Sequence, residues 1–385
     1  MSKNSLKGYR RLTGITNPAP TRIYIEPTSR CNLKCVTCLR NTWDEGEGDL
    51  PMELYERILG GFKSFPTAES VSFWGIGEPC MHPSIVEMVA KASAAGLDTD
   101  MISNGLLLDE RLSRGLVEAG LDSLIISADG ASEEAHGDIR PGAVLSDAEK
   151  NLSRLHAIKN ETGSKNPVVG LEFVVMKRNL HQLRELPAMM ERFGASFTIV
   201  TNLLPYTEAM KDEILYWISA RDTFLPIEYA ERSGIFLPPI DQIKDNLVHL
   251  EGLKARPLSV NSLEIPNDGR RGYCRYVNNG SFAISWNGLV SPCVGLMHSH
   301  TAYILGRKKD IRRHTVGDVS KTSLPEIWNG AGYSAFRKRV LEFQYSPCSE
   351  CTGCELAEKN DQDCCGNTFP VCGDCLWARG IVICP

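Results

Sequence analysis

No stretch of this 385-residue chain holds about 18 consecutive apolar residues, so no transmembrane helix is expected. The opening segment 1–7 lacks the apolar core of a secretion signal. Both absences lead us to expect a cytoplasmic protein with no membrane partner. A basic excess is missing as well: 42 Lys and Arg stand against 47 Asp and Glu, a net charge of -5. That argues against a protein that grips nucleic acid by neutralising phosphates over a broad face. With 42% hydrophobic and 23% charged residues there is no sign of disorder either. What the chain does have is cysteine, fourteen in all. In a reducing compartment thiols seldom pair as disulfides and more often bind metal or carry redox chemistry.

After an arm over residues 1–21, Arg22-Ile23-Tyr24-Ile25-Glu26 reads as a strand. Asp49-Leu50-Pro51 opens a helix with Leu54, Ile58, Leu59 and Phe62 on one face, and Val71 to Trp74 is a strand. A helix from about His82 to Gly96, a strand Thr99–Ser103, a helix ending at Gly120 and a strand Ser123–Ser127 continue the alternation. Strands near Val168–Val175 and Phe197–Thr201 complete six. This order favours an α/β fold, a partial (β/α)6 TIM-type barrel over 22–201 with its functional loops at the carboxyl ends of the strands. A doubly wound open sheet is the competing topology. Residues 202–272 hold no cysteine and read as a linker region with helices such as Met210–Ala220. Ten cysteines crowd into 273–385, which reads as a second domain held by metal more than by apolar area.

Cys31, Cys35 and Cys38 share one short loop after the first strand. A four-iron cubane needs four ligands, so three thiolates leave one iron open to a substrate, whereas a structural zinc is normally closed by four. The spacing Cys-x3-Cys-x2-Cys after a strand resembles the radical S-adenosylmethionine (radical SAM) superfamily. Trp74-Gly75-Ile76-Gly77-Glu78-Pro79 is similar to that superfamily's Gly-Gly-Glu-Pro element, which implies that Gly75, Gly77, Glu78 and Pro79 hold the methionine amino group. The glycines would let the backbone approach the ligand, and Glu78 would accept from the ammonium. Ser103-Asn104-Gly105 resembles the ribose-contacting segment, and Ser127-Ala128-Asp129-Gly130 the family's Ser-x-Asp-Gly. Arg140 stands where the family often keeps a basic residue for the methionine carboxylate. The resemblance implies reductive cleavage of S-adenosylmethionine to a 5'-deoxyadenosyl radical, with a low-potential reductant such as flavodoxin or ferredoxin as partner. One departure is Thr37, where the family usually has an aromatic residue beside the adenine.

Cys274, Gly288, Cys293, then Cys348, Cys351 and Cys354, then Cys365, Cys372, Cys375 and Cys384 resemble the SPASM extension, which binds two auxiliary four-iron clusters. Three [4Fe-4S] clusters are therefore implied. Eight thiols fill two auxiliary clusters and ten are present, so Cys364, beside Cys365, is expected to be spare. Thr201-Asn202-Leu203-Leu204-Pro205-Tyr206, Cys365-Gly366-Asn367 and the segment from Cys372 to Ala378 resemble the cofactor-modifying maturases of tungsten-containing aldehyde ferredoxin oxidoreductases. A tungsten or molybdenum pterin, or a peptide of its host oxidoreductase, is then the substrate. The alternative within the class is a maturase that crosslinks or oxidises a ribosomal peptide, although the short segment before the first strand leaves no room for a leader-binding domain. The alternative of another class is an iron-sulfur electron-transfer or cluster-carrier protein, which the ferredoxin-like spacing of Cys348, Cys351 and Cys354 would suit. Cys80 reads as a core thiol and His82 and His136 as structural. The basic run Arg307–His314 reads as a solvated loop or as a dock for an acidic partner.

Overall fold

A computed structural model describes residues 19–218, 235–236, 273–346, 348, 354–379 and 381–382. Most of the N-terminal arm, most of the linker region, Cys351 and Cys384 lie outside the described residues.

Six parallel strands follow one another in sequence order: β1 (Arg22–Ile25), β2 (Ser70–Phe73), β3 (Asp98–Ser103), β4 (Ser123–Ser127), β5 (Val168–Val175) and β6 (Phe197–Asn202). Between them run α1 (Met52–Lys63), α2 (Ile85–Ala94), α3 (Glu110–Glu118), α4 (Glu133–Ile139), α5 (Leu145–Thr162) and α6 (Leu186–Phe193). Strand order 1-2-3-4-5-6 has no switch point, which separates it from the doubly wound arrangement. Alternation along the strands fixes the two faces. Val71, Phe73, Met101, Leu124, Ile126, Leu171 and Phe173 point to the helices and join the main core. Ile102, Ile125 and Ile199 turn the other way and meet Trp74 and Phe197, which is the inside of a curved sheet. The fold is a partial barrel of six parallel strands and their helices, as expected.

Local signals explain most of the boundaries. Gly96 and Gly120 take positive φ (75° and 81°), the left-handed turn that stops a helix before β3 and β4. Asp109 caps α3 by accepting from the Leu112 amide. In α1 it is Tyr55, not Leu54, that is fully buried with Ile58, Leu59 and Phe62.

The sheet does not end at β1. The strand Ser281–Ile284 pairs parallel with β1, and Leu289–Ser291 and Gly317–Asp318 extend the same sheet to nine strands. The cysteine-rich region therefore shares a sheet with the barrel. The expected helix Met210–Ala220 is not formed: Glu208–Glu213 is a 3-10 segment and Trp217–Ile218 a short strand, with 219–220 outside the described residues. Tertiary contacts override the helical spacing, since the Tyr216 hydroxyl donates to the Leu203 carbonyl (2.9 Å) in a buried position. Nor is Arg307–Ile311 a loop: it is a strand in a hairpin with His300–Ile304. Among the described residues no helix is long and apolar enough to cross a membrane.

Candidate active site

The chain leaves β1 directly into the cysteine loop. The Thr28 hydroxyl donates to Asp49 (2.7 Å) and Arg30 pairs with the same carboxylate, so the loop is fastened at its base. Within it the Leu33 amide donates to Cys31 Sγ (3.4 Å) and the Arg40 amide to Cys38 Sγ (3.5 Å). Cys31, Cys35 and Cys38 are each only partly covered. Burial pushes all three thiols up, Cys38 to about 11, and Cys38 also feels the charges of Cys35 and Cys31. Thiols that would repel one another as thiolates form a donor set that a bound cation relaxes. Among the described residues no three His, Cys, Asp or Glu side chains close on one point as a lone ion needs. A cluster of several metals takes thiolates set wider apart, and three thiols on one loop are a donor set of that chemistry.

The segment Trp74 to Pro79 lies against this loop, and its glycines have a structural reason within the fold itself. A Cβ on Gly77 would collide with the carbonyl oxygens of Thr28 and Arg30, and one on Gly75 with the Glu26 side chain. The close approach is loop to loop. Glu78 is 3% exposed, and its carboxylate accepts from the Ser103 hydroxyl (2.8 Å), the Asn104 amide (2.8 Å) and the Cys80 amide (3.1 Å). Burial pushes Glu78 up while these donors pull it back. Glu78 ties the end of β2 to the end of β3. Asn104 also donates from its side chain to Asn32 in the cysteine loop (2.8 Å). Pro79 opens a short 3-10 turn after Glu78 and is buried.

Asp129, fully buried, holds Arg140 through Nε and Nη2, both at 2.8 Å, and Arg140 Nη1 lies 3.8 Å from Cys35 Sγ. The Ser127 hydroxyl donates to Glu172 (3.2 Å). The structure thus places Gly75 to Pro79, Ser103, Asn104, Ser127 and Asp129 at or just after the carboxyl ends of β2–β4, with Arg140, at the end of α4, held on Asp129 beside Cys35. Glu172 was missed. Its signal was a lone acid in the apolar run Val168–Val175, on the side of β5 opposite Leu171 and Phe173. Burial and the nearby Asp129 lift it to about 7, with Arg140 and Ser127 opposing.

A second gathering lies in the cysteine-rich region. Cys274, Cys293, Cys372 and Cys375 are all pushed up by burial, Cys274 to about 12; Cys375 raises Cys274 further, and Cys293 and Cys372 each feel both Cys274 and Cys375. Cys274, Cys293 and Cys375 line a cavity of about 30 Å³ with Tyr276, Gly295 and Trp377. Arg339 and Lys309 put positive charge beside Cys372 and Cys375. Four buried thiols, which would repel one another as thiolates, near two cations are a donor set suited to a fully ligated cluster. Elsewhere, Cys364 and Cys365 both place Sγ 3.0 Å from the Ser346 hydroxyl, so geometry sets neither apart as spare. The Cys348 amide donates to the Ser346 carbonyl (2.8 Å), which brings Cys348 beside that pair; Cys354 is partly covered, and Cys351 and Cys384 lie outside the described residues.

Of the remaining candidates, Cys80 packs against the core with Sγ 3.5 Å from the Ser103 hydroxyl. His82 bonds the Leu50 carbonyl (3.0 Å) and accepts from the Ser84 amide, and burial lowers it. His136 is lowered to about 4 by burial and by Arg140. The basic run is largely consumed internally. Arg307 donates to the Cys348 carbonyl, Lys309 is buried on Asp374, Arg312 pairs with Asp361 and Arg313 with Glu45.

The radical SAM superfamily pattern matches residues 25–186, and that of SPASM, an iron-sulfur cluster-binding domain, matches 274–355. A tungsten-containing aldehyde ferredoxin oxidoreductase cofactor-modifying protein of Pyrococcus furiosus is 32% identical over 371 residues, covering 94% of this chain and 96% of that protein. A PqqA peptide cyclase of Granulibacter bethesdensis is 26% identical over 88% of this chain and 81% of its own length. Among solved structures, Streptococcus suis SuiB bound to S-adenosylmethionine superposes with a TM-score of 0.58 at 19% identity, over 88% of this chain and 72% of that one. Native anSMEcpe with bound AdoMet gives 0.58 at 17% identity, over 94% of this chain and 96% of that one.

Proposed function

Because the chain belongs to the SPASM-bearing radical SAM enzymes, in the family of the tungsten oxidoreductase cofactor-modifying protein, we propose that it is a maturase acting on a tungsten or molybdenum pterin cofactor or its host oxidoreductase. Binding of S-adenosylmethionine and of iron-sulfur clusters follows from the family, and a low-potential flavodoxin or ferredoxin is the reductant we expect. Cys31, Cys35 and Cys38 would hold the first cluster. One auxiliary cluster would sit on Cys274, Cys293, Cys372 and Cys375. The other would take Cys348, Cys351 and Cys354 with one of Cys364, Cys365 and Cys384.

When bound, the first cluster and S-adenosylmethionine together supply a one-electron cleavage that yields a carbon radical able to take hydrogen from an unactivated C–H bond. The chain's own residues position and shield. Glu78 locks the Gly75–Pro79 segment against β3, leaving its backbone groups, not its carboxylate, to meet the methionine ammonium. Arg140, held by Asp129 beside Cys35, would meet the methionine carboxylate, Asn104 would meet the ribose, and Ser127 would be a further contact to the cofactor. Ile102, Ile125 and Ile199 close the floor of the barrel to water.

The observation that carries this reading is the trio of partly covered thiols on one loop, bordered by the Glu78-locked segment and by Arg140. Anaerobic reconstitution, chemical reduction and chromatographic detection of 5'-deoxyadenosine test it. Production by the wild type and loss in Cys31→Ala, Cys35→Ala and Cys38→Ala is the expected result; no cleavage by a protein with an intact first cluster ends the proposal. A second reading, a ribosomal peptide as substrate, is favoured by the likeness to the PqqA peptide cyclase. Incubation with the oxidoreductase on one side and candidate peptides on the other, followed by mass spectrometry, separates the two.

A further inference from the structure

A buried charged bridge joins the barrel to the cysteine-rich region outside the groups used so far. Glu26, at the end of β1, is 0% exposed, and His298 is 2% exposed five residues after Cys293. His298 Nε2 lies 3.0 and 3.2 Å from the two Glu26 oxygens, and Nδ1 lies 2.8 Å from Glu45 in the exit of the cysteine loop. Trp43 packs edge-on against the imidazole at 4.8 Å between centroids. Burial alone would push His298 down; the two facing carboxylates outweigh it and lift it to about 9. Flanked by carboxylates on both ring nitrogens, it donates from both.

Glu26 is more than a counter-ion. Its Oε1 accepts from the Ile76 amide (2.9 Å), in the middle of the segment Trp74 to Pro79, and its Oε2 from the Trp286 amide (3.3 Å). Its side chain also fills the space against Gly75 that a Cβ would need. Glu45 in turn accepts from the Ser299 amide (3.1 Å) and pairs with Arg313 (3.5 Å). The Gly75–Pro79 segment is therefore held from two sides, by Glu78 towards β3 and by Glu26 towards the cysteine-rich region. Without the imidazolium, Glu26 is left buried with no cation beside it among the described residues, and the acceptor that fixes the Ile76 amide is loosened.

We propose that His298 is a positioning residue for S-adenosylmethionine: through Glu26 it fixes the Ile76 amide, so that docking of the cysteine-rich region completes the edge on which the methionine rests. This rests on the radical SAM reading above. Two measurements on the full chain test it, namely S-adenosylmethionine affinity by anaerobic calorimetry and hydrogen exchange of peptides spanning Trp74–Pro79 in the protein without ligand. His298→Ala should weaken binding by about tenfold or more, the size typical when an outer-shell partner of a bound group is lost. It should also speed exchange in that segment while leaving the spectrum of the first cluster unchanged. Glu45→Gln, which loosens His298 from its outer side without opening a cavity, should move both readouts in the same direction by less. It carries the test if His298→Ala fails to fold. Unchanged affinity and unchanged exchange, with only a lowered melting temperature, overturn the proposal. A wild type that binds no S-adenosylmethionine points instead to failure of the radical SAM reading, because the exchange measurement tests the bridge without the ligand.

Discussion

Single atoms at two positions have consequences large enough to measure. Gly77 has no room for a methyl group because the carbonyl oxygens of Thr28 and Arg30 occupy that space, and its neighbour Glu78 donates its amide to the same Arg30 carbonyl (2.8 Å). Backbone cannot swing aside as a side chain can. Gly77→Ala should displace the cysteine loop, costing about 1–3 kcal/mol as an overpacked site does, with reduced iron uptake read by iron assay beside a melting curve. Glu172 gives a prediction in pH. Its folded value, about 7, lies above the ordinary carboxylate range, so between about 4.5 and 7 the unfolded chain has lost a proton that the folded chain keeps. Stability contributed by this group is thus present at low pH and falls as pH rises through that window. Glu172→Gln should flatten this part of the melting-temperature profile and stabilise the protein at pH 8, by a few kcal/mol at most (~1.4 per pH unit). An unchanged profile would place the titration elsewhere. The cysteines were legible one by one, since their spacing is local. The Glu26–His298 bridge was not, because its partners are 272 positions apart and neither stands in a motif.

Elements built on simple periodicity were readable, and those that mix charge into an apolar face were not. β1–β6 and the glycine stops at 96 and 120 follow from alternation and turn chemistry. The twelve-residue helix Ala331–Glu342 escaped notice because Arg337 occupies a core position between Tyr333, Phe336 and Val340. Its guanidinium lies 3.9 Å from the Trp328 ring and 4.3 Å from that of Tyr333, and donates to the Trp328 carbonyl, so the cation is buried without breaking the packing. Arg307–Ile311 misled for a related reason: a run of Arg and Lys reads as solvent-facing until Lys309 is found buried on Asp374. The cysteine tetrad is likewise assembled by elements, since the turn Cys372–Cys375 folds back on Cys274 and Cys293 from either side of the strand Ser281–Ile284. Sequence spacing leaves such a grouping open. Cys293→Ala should remove one auxiliary cluster, about four irons per chain, while cleavage of S-adenosylmethionine without substrate persists. Iron and sulfide assays with electron paramagnetic resonance read the first effect and 5'-deoxyadenosine yield the second.

At the scale of the molecule, composition suggested two domains, yet the sheet and the core run through both. The strand Ser281–Ile284 pairs with β1 residue for residue from Arg22–Ser281 to Ile25–Ile284, and the ladder continues through the Thr21 amide to the Gly280 carbonyl (3.0 Å) and the Glu26 amide to the Ile284 carbonyl (2.9 Å). Phe282 packs against Phe62 of α1, and Phe282, Ile284, Trp328 and Phe336 belong to the same apolar cluster as Ile23 and Phe73. Removing 273–385 would bare the hydrogen-bonding edge of β1 and the apolar face of α1 together. An open edge beside exposed apolar surface is a template for aggregation. A chain ending at residue 272 should therefore aggregate or unfold with low cooperativity, even though it keeps the barrel and all three cysteines of the first loop. Size-exclusion chromatography and circular dichroism melting of the truncated and full chains decide it. A monomeric truncated chain with a sharp transition near that of the full protein would mean that the barrel stands by itself and that the shared strand is only docked upon it.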